Sequence, residues 1–210
     1  MKTEGGARVL DPRILVALLD MPSETALCDT VLRAVGKAAW PLRLTFALQE
    51  RFRPQSEASP VAELMRSLPQ GDVRFFADGP DLQCVQEALH GETHVLFLRG
   101  PYAFLEKWEK QLLSRFDRCD APEKLLTGTV SALSEPYQPQ CLLPAISDHF
   151  VEDAVWLGRG MPLVCSRAPA TTLLTDPNLL FLESGLLSRM RLPWATLSFA
   201  CYVCNVRVFA

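Results

Sequence analysis

The sequence predicts an α/β protein built on a mainly parallel, doubly wound sheet, and three observations carry that prediction. Apolar runs of strand length alternate with segments of helical spacing between residues 13 and 116. The first run, Ile14-Leu15-Val16-Ala17-Leu18-Leu19, is unbroken, as a strand covered on both faces should be. From residue 120 onward the pattern loosens into short strand candidates interrupted by prolines from Pro122 to Pro177, so the second half is expected to be irregular and proline-rich.

Each element has its own justification. A polar tail, residues 1–12, leads into a strand over 13–20. Ser23 then precedes Leu27, Val31, Leu32, Val35 and Ala38 at helical spacing, which makes it the capping residue of a helix that must end before Pro41. Residues 42–49 read as a second strand, 53–60 as a loop rich in Pro, Ser and Gln, and 72–78 as a third strand. A helix over 81–91 closes on Gly91 and leads to a strand over 94–98, at whose carboxyl end stands Arg99. Residues 104–116 are amphipathic, with Leu105, Trp108, Leu112 and Leu113 on one side, and should pack on the sheet. Short strands are expected over 124–133, 139–146 and 161–167. The chain thus divides into a tail (1–12), an α/β half (13–118) and a looser half of the same domain (119–210).

Composition narrows the function classes. The chain has 210 residues, enough for a full core, with 49% hydrophobic and 21% charged residues and a formal net charge of -3. That charge is spread without long runs of one sign, so nucleic acid has no electrostatic support as a partner. No apolar run approaches the roughly 20 residues that a membrane-spanning helix needs. The seven cysteines are odd in number and scattered, which points to an intracellular, reducing compartment, with cytoplasm and an organelle such as the mitochondrion equally open.

Four stretches carry a family resemblance: "VALLDMPSETALCDTVLRAVGKAAWPLRLTFALQE", "HGETHVLFLRGPYAFLEKWEKQLL", "KLLTG" and "TDPNLLFLESGLLSRMR". Together they resemble the nucleotide-diphospho-sugar fold of GT-A glycosyltransferases, most closely the group that attaches N-acetylglucosamine to hydroxylated residues of cytoplasmic proteins. The resemblance implies a donor site at the carboxyl ends of the first strands, and it assigns Asp20, Asp78 and Arg99 to that site. It also implies an Asp-x-Asp or Asp-x-His motif after the strand at 94–98, where a divalent cation bridges the donor phosphates. Arg99, Gly100 and Pro101 stand there instead, and none of their side chains ligates a hard cation. The family's paired glutamates fall on Ser184 and Gly185, with Glu183 one position early.

These departures imply no metal and no resident cofactor, a degenerate transferase-like domain, and a protein partner or assembly as its natural context. The competing expectation is a metal-independent transferase in which Arg99 pairs with the diphosphate of a UDP-sugar donor and Asp153 or Glu183 is the catalytic base. If catalysis is lost, Arg99 is expected to make an ordinary ion pair with a carboxylate such as Glu106.

Other constellations carry less chemistry. Cys201 and Cys204 form a C-x-x-C pair in a strand-like stretch without a second pair, so buried thiols are expected rather than zinc. His90 and His94 are separated by the helix-breaking Gly91. Asp148, His149, Glu152 and Asp153 read as a polar loop, and "GRGMP" (158–162) lacks the spacing of a phosphate cradle. No G-x-S-x-G occurs.

Overall fold

The structure is a computed structural model, and it describes residues 11–68, 72–78, 82–127, 142–146, 158–162, 171–172, 179–187, 189 and 207–209. Among the described residues, ten strands and five α-helices follow in chain order. They are β1 (Ile14–Leu19), α1 (Glu24–Lys37), β2 (Leu44–Gln49), α2 (Pro60–Ser67), β3 (Val73–Phe76), α3 (Leu82–Gln86), β4 (His94–Arg99), α4 (Trp108–Asp117) and β5 (Lys124–Thr127). The remainder are β6 (Leu142–Ile146), β7 (Gly158–Pro162), β8 (Thr171–Thr172), β9 (Leu179–Glu183), α5 (Ser184–Leu187) and β10 (Arg207–Phe209).

Eight strands form one sheet in the order β3-β2-β1-β4-β9-β5-β10-β8, and β6 and β7 form an antiparallel pair of their own. The strands β3, β2, β1 and β4 are mutually parallel. The strand β9 runs against both β4 and β5, and β8 runs against β10, so the sheet is mixed but mainly parallel, as the sequence predicts.

The unbroken apolar run of β1 has the expected cause. Ile14, Val16 and Leu18 enter one core while Leu15, Ala17 and Leu19 enter a second core on the other face. The first core is roofed by Leu27 and Val31 of α1, Val61 and Leu64 of α2, and Trp108, Leu113 and Phe116 of α4. Val85 and Ala88 at and just beyond α3, with Leu186 and Leu187 of α5, cover the second. Burying one such leucine or valine fully contributes about 1.5–3 kcal/mol, so the central strand alone anchors both layers.

Helix α1 starts where Ser23 predicts. The Ser23 hydroxyl accepts from the Ala26 N–H at 3.2 Å, and Ser23 itself is extended. Ser59 caps α2 in the same way, accepting from Ala62 N–H at 3.1 Å with Pro60 at the first helical position. That helix is an addition to the elements expected from sequence.

Two expectations are corrected. Helix α4 begins at Trp108, not at residue 104, because Lys107 is left-handed (φ 58°) and its N–H is taken by the Lys37 carbonyl at 2.6 Å. Residues 158–162 form β7 against β6, so the strand expected from 161 starts at Gly158 and takes in "GRGMP". The rest of the strand expected over 161–167, and Cys201, Cys204, Asp148, His149, Glu152 and Asp153, lie outside the described residues.

Candidate functional site

In an open parallel sheet the crevice at the carboxyl ends of the strands is where ligands bind. Here β3, β2, β1 and β4 all present that end to one edge, and three sequence-predicted residues arrive there with them. Asp20 follows β1, Asp78 follows β3, and Arg99 ends β4. All three are exposed.

The structure joins Asp20 to Arg99. Arg99 Nε donates to Asp20 Oδ2 at 2.6 Å, with the side chains 39% and 53% exposed. The two strands are registered for this contact, since Leu19 pairs with Arg99 and the Gly100 N–H continues the ladder to the Leu19 carbonyl at 2.9 Å. Gly100 is left-handed (φ 88°), which turns the chain out of β4 immediately after Arg99. Asp20 is also left-handed (φ 50°), an uncommon conformation for a residue with a Cβ, though one that Asp tolerates better than most.

A second set of contacts comes from β2. Gln49, the buried last residue of that strand, uses Oε1 to accept both the Asp20 N–H (2.9 Å) and Arg51 Nη2 (3.0 Å). Arg51 Nη2 also donates to the Met21 carbonyl at 3.1 Å, and the Arg51 N–H donates to Asp78 Oδ2 at 3.2 Å. One chain of hydrogen bonds therefore runs from β3 through β2 and β1 to β4. Gln49 and Arg51 were not singled out from sequence. The available signal was a polar side chain at the last position of an otherwise apolar strand, followed two residues later by a guanidinium.

The other expectations fall elsewhere. Glu106, offered as a partner for Arg99, pairs instead with Lys37. Glu183 ends β9, which runs antiparallel to β4, and it sits opposite His94. Five strand steps, from His94 to Arg99, then separate it from the level of Arg99, about 16 Å at the usual rise per residue of a strand, so the two stand at opposite ends of neighbouring strands. Glu183, the candidate base, thus lies level with the amino end of β4, because strand direction reverses at β9.

The residues at the turn after β4 do not fit a divalent cation. Arg99, Gly100 and Pro101 bring no side-chain oxygen, and the carboxylate across from them is held by a fixed positive charge. Among the described residues, no three His, Cys, Asp or Glu side chains converge as a metal would require.

Beyond the edge, a clasp secures the loop that follows Arg99. Trp108 Nε1 donates to the Ala34 carbonyl at 2.9 Å, and the buried Glu109 carboxylate accepts the N–H groups of Ala39 and Trp40, the latter at 2.8 Å. These contacts tie α4 to the carboxyl end of α1, so residues 100–107 are anchored at both ends.

No family model matches the chain, and no curated protein matches it in sequence. Solved structures do resemble it. Against TarS of S. aureus (residues 1–349) the TM-score is 0.56 at 13% identity, covering 93% of this chain and 57% of that one. Against GalNAc-T7, solved with UDP, GalNAc and Mn2+, the TM-score is 0.67 at 12% identity, covering 97% and 43%. Against the mannosyltransferase PcManGT from Pyrobaculum calidifontis, solved with GDP-Man and Mn2+, it is 0.57 at 11% identity, covering 94% and 56%. The chain spans about half the length of these proteins. Identities this low speak to architecture alone, and the architecture is clear: the chain has the GT-A fold of nucleotide-sugar transferases.

Proposed function

We propose that this chain is a transferase-like domain without transferase chemistry, a pseudoenzyme retained as a structural or partner-binding module. The observation that carries the reading is the Arg99–Asp20 pair at the position where the fold's resemblance calls for a carboxylate-held cation. A guanidinium there repels a divalent ion and engages the carboxylate that faces it. The placement of Glu183 opposite His94, at the other strand end from Arg99, supports the same reading. Both layers of the core remain fully packed, which is what a scaffold requires.

The test is direct. Purified protein is incubated with UDP- and GDP-linked sugars, with and without Mn2+, and released nucleotide and glycosylated protein are measured. The expected result is no release above the protein-free rate. Sustained, enzyme-dependent release would overturn the proposal.

A second reading, metal-independent transfer from a nucleotide-sugar donor, draws on one observation, the presence of Arg99 at the donor edge. In that reading Arg99 neutralises the departing diphosphate, Asp20 and Asp78 line the donor, and Asp153 is the remaining candidate base. Turnover that survives in Arg99→Ala would remove its central element.

A further inference from the structure

Among the described residues, three large apolar side chains are exposed: Leu32 (50%), Leu42 (53%) and Leu105 (63%). Lone exposed leucines are ordinary, but these three belong to segments that the structure ties together. Leu32 is on the outer face of α1, one turn before Gly36, where a Cβ would meet nothing within 4 Å. Leu42 lies between α1 and β2, and Leu105 lies in the loop that the Lys107 N–H pins to the Lys37 carbonyl at 2.6 Å. Half-buried Trp40 joins the last two segments, since its ring carries Arg43, the neighbour of Leu42, at 4.4 Å and Lys110 of α4 at 4.3 Å. Because β2 starts level with Ile14 at the amino end of β1, Trp40 to Arg43 stand at the opposite end of the sheet from Asp20 and Arg99.

Positive charge gathers on the same face. Lys37, Arg43, Lys107 and Lys110 are set against two surface carboxylates, Glu106 paired with Lys37 and Asp11 paired with Arg43 at 2.8 Å, while Glu109 is buried. The whole chain, in contrast, has a formal net charge of -3.

We infer that this face docks on an anionic lipid bilayer, with Leu32, Leu42 and Leu105 entering the headgroup boundary, Trp40 at its level and the four cations against acidic headgroups. A bilayer is favoured over a protein partner because the leucines stand out singly on three segments, each at least half exposed, whereas a protein hot spot needs a complementary pocket that desolvates its anchor. A fluid surface needs no such match, and it accepts leucine, tryptophan and the aliphatic stems of lysine and arginine together. Local positive charge on a net negative chain also selects which face meets acidic lipid. Docking of this kind goes beyond the non-catalytic reading and holds with or without transfer at the donor edge.

The experiment is co-sedimentation of the full chain at low salt with vesicles of equimolar phosphatidylserine and phosphatidylcholine, and with vesicles of phosphatidylcholine alone. Poly-glutamate is the competing probe. Wild type is compared with Lys110→Gln, with the double variant Leu42→Ser and Leu105→Ser, and with Arg189→Gln, and thermal unfolding confirms that each is folded. Arg189 is an exposed cation just beyond α5, which packs on the other face of the sheet, so it controls for overall charge. Wild type should bind the phosphatidylserine vesicles and should bind phosphatidylcholine alone at least about tenfold more weakly. Lys110→Gln should lose about fivefold, the worth of one cation at an acidic surface, and the leucine variant at least about tenfold, while Arg189→Gln should bind as wild type does. No binding by wild type, equal binding to both vesicles, equal losses in Lys110→Gln and Arg189→Gln, or full binding by the leucine variant would overturn the inference. Capture of poly-glutamate in place of vesicles would overturn it too, and would assign the face to an acidic peptide. All of these outcomes leave the non-catalytic reading standing, whereas sugar transfer by wild type would remove that reading and leave the docking face in place.

Discussion

Arg99 and Asp20 meet as an ion pair at the carboxyl ends of β4 and β1. Both were recognisable from sequence, because each falls one step from the end of an apolar run, and the strand ends of such sheets face ligands. Their partnership was not, since it depends on β1 and β4 lying side by side, 80 residues apart, in a register that pairs Leu19 with Arg99. Glu109 makes the same point in the core. It is a charged residue at helical spacing from Leu112, Leu113 and Phe116 on the apolar face of α4, and it is 1% exposed and serves the N–H groups of Ala39 and Trp40. Removing such an acceptor leaves donors unpaired, at about 1–3 kcal/mol for each one that is buried. Glu109→Ala should therefore lower the unfolding free energy by about 2 kcal/mol in urea titrations, and Glu109→Gln by less because it keeps an acceptor oxygen. Equal stability of wild type and Glu109→Ala would contradict the assignment.

At the level of elements, the legible parts were those governed by local chemistry. Ser23 capping α1 and the two-sided apolar run of β1 needed no knowledge of the rest of the chain. The direction of β9 did need it. Nothing in Leu179–Glu183 says which neighbour it pairs with, and once it inserts antiparallel between β4 and β5, Glu183 is carried away from the donor edge. Helix α4 starts late for a similar reason, since the Lys107 N–H is claimed by the end of α1. The turn after β4 allows a test at this scale. Gly100 is left-handed, and a Cβ there would meet nothing within 4 Å, so Gly100→Ala isolates the backbone cost. It should destabilise the protein by about 1–2 kcal/mol, read by thermal or urea unfolding, without a loss of packing. A neutral substitution would mean that the turn is not held as described.

For the whole molecule, the sheet with a core on each face carries the stability of the described residues, and it also sets a pH dependence. His94 stacks on Phe181 (centroids 5.2 Å apart) and meets Phe116 edge-on (5.4 Å). Burial pushes its pKa below the ordinary value of 6.5; Glu183 and Asp117 partly oppose that, and Lys124 reinforces it. The folded chain thus binds a proton at His94 less readily than the unfolded chain does. Stability from this site is complete above the unfolded value and is lost as pH falls from there through the lower folded value. Denaturant midpoints should fall below pH 6.5 in wild type. In His94→Phe that part of the fall should be absent, and identical profiles would refute the account.

The central claim is that an internal ion pair has replaced the cation at the donor edge, and manganese binding tests it most directly. Electron paramagnetic resonance reports free Mn2+ by its six-line signal, so the chain can be titrated into Mn2+ with and without UDP. The account predicts a free-ion signal that wild type, with or without UDP, leaves as a protein-free sample does, since Arg99 repels the ion and holds Asp20. Stoichiometric loss of that signal in wild type with UDP, abolished in Asp20→Asn, would show that a metal site survives and would contradict the account.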